Sequence, residues 1–108
     1  MTIKRYEVYY TNLNPSVESE IQKIRPVVVV SKTEMNKYLD TVVICPATTK
    51  LHPQWKSRIQ CMINNKDAEI AVDQIRTIRK KRLRNKIDTL SSEINAQLRT
   101  LITEMYGE

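Results

Sequence analysis

Four consecutive valines, Val27 to Val30, stand directly behind an arginine–proline pair in the segment "SEIQKIRPVVVVS". β-Branched residues with no polar alternation read as a strand buried on both faces, here 25–31. Pro26 fits the first residue of such a strand, where no ladder N–H is required. The feature left to explain is Arg25, a charge at the mouth of a buried element.

The neighbouring segments extend the β reading. Residues 5–12, "RYEVYYTN", alternate with Val8 and Tyr10 on one face and Tyr9 and Thr11 on the other, as in a half-buried antiparallel sheet. Pro15 ends that strand, and 16–24 form a polar loop. A short surface helix or turn is expected over 32–40. A buried strand interrupted by Pro46 follows over 41–49, and an alternating strand over 57–63. Asn64–Asn65–Lys66–Asp67 reads as a turn, "EIAV" as a short strand, and the second half of "DQIRTIRKKRL" as extended again. The chain has one glycine, Gly107, so turns with φ > 0 must use Asn or Asp, as at Asn64–Asn65 or Asn85. Over 91–106 the residues Ile94, Leu98, Leu101, Ile102 and Met105 make an apolar stripe at helical spacing, with Ser91 as N-cap and Glu93 in the first turn. The expectation is a single domain, 1–108, mainly β: a small antiparallel barrel with a short surface helix and a C-terminal α-helix.

Charge and cysteine usage narrow the function classes. A formal charge of +6 favours acidic partners, nucleic acid or an acidic protein segment. No apolar run is long enough to span a membrane, and "MTIKRYEVYY" lacks a signal-peptide core, so the expected location is the cytoplasm. Cys45 and Cys61 then read as buried thiols in strands. With one histidine, His52, and no Cys-x-x-Cys pair, a zinc site is not expected. His52 beside Pro53 reads as an exposed loop residue or a base. Seven cations lie between Arg76 and Lys86, able to hold a phosphate backbone or simply to make a solvated basic edge strand. Trp55 and Tyr38 offer rings for stacking on bases, or cap the core from the side. Arg25 either grips a phosphate at a rigid strand end or pairs with Glu20 or Asp73. Thr48 and Thr49 end another buried strand and would share its rim if the two strands are neighbours.

The order of "RYEVYYTNLNP", "SEIQKIRPVVVVS", "VVICPATT" and "IAVDQIRTI", followed by a terminal helix, resembles the MazF/PemK toxins of bacterial toxin–antitoxin systems along essentially the whole chain. The resemblance implies a homodimeric SH3-like barrel of the MazF/CcdB kind. It implies metal-independent cleavage of single-stranded RNA, mRNA above all, at short sequences. The 2′-hydroxyl attacks the adjacent phosphate, leaving a 2′,3′-cyclic phosphate and a 5′-hydroxyl. Arg25 and Thr48 would stabilise charge on the phosphoryl oxygens, and Glu20 is the candidate base. RNA contacts are expected from Ser19, Lys23, Thr49, Lys50, His52, Trp55, Lys56, Asp73, Gln74, Arg76, Arg79 and Lys80. No cofactor is implied. The partner would be a cognate antitoxin with an acidic C-terminal segment. Family members usually carry an Arg-Gly pair near the N-terminus, where this chain has Tyr6, and glycines in the loop before Arg25. The competing readings are a gyrase-poisoning toxin of the CcdB kind and a non-catalytic SH3-like RNA-binding module.

Overall fold

The computed structural model describes residues 2–13 and 24–107. Seven strands, β1 (Glu7–Asn12), β2 (Ile24–Val29), β3 (Thr41–Thr48), β4 (Arg58–Ile63), β5 (Lys66–Ala71), β6 (Arg76–Arg79) and β7 (Leu83–Thr89), are accompanied by helices α1 (Thr33–Tyr38) and α2 (Ser92–Tyr106). Every pairing is antiparallel, in the order β4-β5-β3-β2-β1-β7, with β6 also on β3. The sheet curls into a half-barrel with α2 packed on β4 and on the 3-10 turn Val72–Gln74.

The valine run does what its composition requires. Val28 and Val30 join one core with Val8, Cys45, Ile70 and Leu98, while Val27 and Val29 join a second core with Tyr9, Val42 and Ile44. Each fully buried valine contributes about 2 kcal/mol of apolar transfer. The same two cores correct the expectation for β1. It is not half-buried, because Val8 and Tyr9 are both almost wholly buried on opposite faces.

Pro46 does not interrupt β3. The Val30 N–H donates to Val43 O, so residues 43 and 45 turn their polar backbone toward β2 and Pro46 turns toward the other edge. That edge changes partner there, from β6 (through Ile44) to β5 (from Ala47), so no ladder bond is lost to the missing N–H.

Backbone with φ > 0 occurs at Asn64 (53°), Asn65 (66°) and Tyr6 (73°). Asn64–Asn65 form the two-residue hairpin turn between β4 and β5, both in the conformation that a primed turn demands. The strand after it starts at Lys66, earlier than expected. Asn85 lies within β7 and needs no such conformation. Tyr6 holds it instead.

The helices follow their signals. Ser91 caps α2, its Oγ accepting from the Ile94 N–H at 3.3 Å, and the expected stripe packs against the first core. In α1 the buried residue is polar: Asn36 Nδ2 donates to Ile3 O and Ser31 O, and its Oδ1 accepts from Ser31 Oγ. Both cysteines are free. Burial first, then Asp73, pushes the Cys45 thiol up to about 12; burial and Asp88 push Cys61 up to about 11.

The basic run is not one extended stretch. It forms β6, a 3-10 turn Lys80–Arg82, and β7, an additional edge strand on β1. Several of its cations are spent on the fold. Lys80 Nζ donates to Asn36 O (2.6 Å), Arg76 to Leu13 O (3.4 Å) and Arg82 to Asn12 O, while Lys86 pairs with the buried Glu7 at 2.9 Å.

Candidate nucleic-acid site

The β2–β3 register pairs Val27 with Pro46. β2 and β3 are therefore neighbours, and Arg25 and Thr48, beyond the last pair of that ladder, line the same two cavities, so the two strand ends lie side by side. Arg25 is exposed and Thr48 half-buried. On its other side Thr48 lies opposite Glu69 of β5, and Glu69 lies opposite Gln60 of β4. Thr48, Glu69 and Gln60 therefore form one cross-strand row, and directly opposed residues project to the same face, with Arg25 beside the Thr48 end of the row.

Two cavities flank this row. One of about 350 Å³ is lined by Tyr10, Arg25, Thr48, Thr49, Asn64 and Lys66 among others. The other, about 180 Å³, is lined by Arg25, Thr48, Lys50, His52, Trp55, Arg58 and Gln74. Arg25 and Thr48 are common to both, so each cavity opens on the same guanidinium and hydroxyl. The Thr48 oxygen accepts from the Lys50 N–H at 3.1 Å, which leaves its own proton to donate elsewhere.

Glu69, wholly buried, organises the smaller cavity. One carboxylate oxygen accepts from the His52 backbone N–H and from Gln60 Nε2 (2.7 Å). The other accepts from Arg58 Nη1 (2.7 Å) and lies 3.2 Å from His52 Nδ1. Burial alone would raise its pKa. Hydrogen bonds from Gln60, from the His52 backbone and ring, and from Arg58 outweigh that and hold it at about 2. An ionised carboxylate only accepts, so the ring contact fixes the His52 proton on Nδ1. Arg58 turns its Nε toward Asp73 Oδ1 at 2.8 Å. Asp73 is also held below the usual carboxylate range, with burial opposing and Arg58 and Ser57 prevailing. Asp73 thus pairs with Arg58 and not with Arg25. The His52 ring stacks on Trp55, centroids 3.9 Å apart, and the Arg58 guanidinium sits 4.6 Å from the same indole. One indole face is therefore occupied by His52.

Of the residues expected from sequence, Arg25, Thr48, Thr49, Lys50, His52, Trp55 and Gln74 line the two cavities, with Asp73 one bond behind. Lys56 instead lines a separate depression with Leu101, Glu104 and Met105. Arg79 and Lys80 lie at another, with Asp40, where Arg79 pairs with Thr41 at the opposite end of β3 from Thr48. Arg76 pairs with Ile44, midway along. Ser19, Glu20 and Lys23 fall outside the described residues. Sequence reasoning missed Arg58, Gln60 and Glu69. The alternation of 57–63 placed Arg58 and Gln60 on one face, but only the register shows that Glu69 faces them. Among the described residues no group of three or more His, Cys, Asp or Glu side chains is placed to hold a metal ion, and no helix is long and apolar enough to cross a membrane.

Residues 4–106 match the family described as PemK-like, MazF-like toxin of type II toxin–antitoxin systems. The chain belongs to that family. The fold agrees with solved MazF structures. A mycobacterial endoribonuclease, solved with its cognate antitoxin, superposes with a TM-score of 0.81 at 18% identity, over 97% of this chain and 95% of its own. MazF from Deinococcus radiodurans gives 0.81 at 15% identity, over 100% and 99%. The Mycobacterium tuberculosis toxin MazF-mt6 gives 0.77 at 18% identity, over 93% and 95%. The SH3-like, MazF-type barrel with a terminal helix is thereby the fold of this toxin-family chain.

Proposed function

We propose that this MazF/PemK-family chain is a sequence-specific endoribonuclease acting on single-stranded RNA, mRNA among its targets, and that it slows growth by cutting transcripts. In-line attack of a 2′-hydroxyl on the neighbouring phosphate builds negative charge on the phosphoryl oxygens, and donors aimed there lower the barrier. Arg25 supplies a fixed cationic fork and Thr48 a hydroxyl whose oxygen is already occupied by the Lys50 N–H. The observation that carries this reading is that Arg25 and Thr48 meet between two cavities and line both. Such a layout suits a phosphate with a nucleoside on either side. Two mycobacterial endoribonucleases of the same fold, one of them solved with its antitoxin, support the reading. The +6 charge suits both RNA and an antitoxin with an acidic C-terminal segment, and the working form is a homodimer in the cytoplasm.

The test is to incubate the purified protein with mixed single-stranded RNA in EDTA and to sequence the new ends. Discrete cuts bearing 5′-hydroxyls, absent with Arg25→Ala, are expected. Intact RNA with folded, antitoxin-free protein would refute the reading.

A further inference from the structure

The proposed reaction needs a group to take the 2′-hydroxyl proton, and among the described residues the two cavities hold few that can. Arg25, Arg58, Lys50 and Lys66 are cations, and Thr48, Thr49, Asn64, Gln74 and the Tyr10 phenol are not proton acceptors at neutral pH. Glu69 lies directly behind, but each of its oxygens already meets two donors, so it has no lone pair to offer a substrate. Asp73 is engaged by Arg58. His52 remains. Its Nδ1–H is committed to Glu69, which leaves Nε2 as the lone-pair nitrogen. Nε2 has no hydrogen-bond partner among the described residues, and the His52 side chain is 30% exposed. The ring lines the same cavity as Arg25 and Thr48, and Trp55 stacks on it and restricts its rotation.

From this geometry we infer that His52 is the general base of RNA cleavage, with Glu69 as the positioning residue that fixes its tautomer and orientation. The inference rests on the ribonuclease reading above. As the 2′-oxygen–phosphorus bond forms, the 2′-hydroxyl proton passes to His52 Nε2. The bond from phosphorus to the 5′-oxygen breaks, and that oxygen takes a proton from water. The imidazolium then returns its proton to solvent, so no oxidant, reductant or metal enters the balance. The charged groups facing the imidazole are Glu69 from β5, Arg58 from β4 with Asp73 behind it, Arg25 from β2, and Lys50 on its own loop. Of these Glu69 alone touches the ring's polar atoms.

The experiment is cleavage of a short RNA carrying one mapped cut site by wild type, His52→Ala, Glu69→Gln and Glu20→Gln, with kcat and KM followed from pH 5 to 9. A general base is worth about 10²–10⁴-fold. His52→Ala should lower kcat on that scale, change KM less than about threefold, lose the acidic limb of the kcat profile, and regain rate with added imidazole. Affinity for the same oligonucleotide with a 2′-deoxy residue at the cut should be unchanged. Glu69→Gln should keep an acidic limb but displace it, and where that variant fails to melt cooperatively the His52→Ala profile and its rescue by imidazole decide the assignment. A rise in KM with kcat and limb retained in His52→Ala would make His52 merely a wall and overturn the assignment. Loss of the limb in Glu20→Gln alone would transfer the role to the loop. If wild type cuts no RNA, the ribonuclease reading itself falls, a result distinct from either.

Discussion

Thr48 stands directly opposite Glu69 across the β3–β5 ladder, so the hydroxyl at the centre of the site and the carboxylate that holds its wall share one rung of the sheet. The candidate surface and its support are thus positioned by backbone pairing, which is more exact than positioning by a free loop.

Arg25 and Thr48 should be separable from folding. Arg25 is exposed near the start of β2. Arg25→Ala is expected to reduce cleavage at least about 10²-fold, and Thr48→Val by a comparable factor, as for loss of one donor to a developing oxyanion. Circular dichroism melts should stay within about 0.5 kcal/mol of wild type for Arg25→Ala. Cleavage at the wild-type rate by both variants would remove the pair from the mechanism.

Glu69 sets a limit at acid pH. Its folded pKa of about 2 lies below the ordinary value of 4.5. Between those values the unfolded chain binds the proton and the folded one does not, so lowering pH favours unfolding. The stabilisation is complete above pH 4.5 and lost as pH falls toward 2. Urea midpoints measured from pH 6 down to 2 should fall through that window, and Glu69→Gln should flatten the fall.

Tyr6 carries a positive φ of 73° while its ring lies against Arg5 and its hydroxyl accepts from Arg99 Nη1 at 3.2 Å. Tyr6→Ala removes the ring and keeps the strained backbone; Tyr6→Gly removes both. The glycine variant should be more stable than the alanine variant by about 1 kcal/mol, reversing the usual order. Chemical denaturation of the two, side by side, checks it.

Asn36 ties α1 to Ile3 and Ser31 from a buried position. Asn36→Leu leaves those carbonyls unpaired, at a cost of about 2–3 kcal/mol. The expected sign is a Tm about 10 °C or more below wild type. A melt unchanged by the substitution would show that water replaces the amide.

Much of this architecture is legible without coordinates because it rests on local signals. The valine run, the Asn64–Asn65 turn and the Ser91-capped stripe each name their structure from a few adjacent residues. Pro46 misleads because its harmlessness depends on which edge of β3 it faces, a property of two other strands. β7 escapes notice because its cations obscure an alternation that an edge strand does not need. Arg25 and Thr48 could be paired only as a supposition, and Arg58, Gln60, Glu69 and Asp73 not at all. Their meeting is decided by the register of β3, β4 and β5, with sequence separations of 9 to 15 residues between hydrogen-bonded partners.

The change of partner along β3 has a mechanical consequence. Among the described residues the hairpin of β4 and β5 is joined to the rest of the sheet by two paired positions, Ala47↔Ile70 and Thr48↔Glu69. Arg25 stands on the larger plate and Arg58 on the smaller one, with Thr48 at the seam. A strand lying in this groove would touch both plates at once and bridge the seam between them.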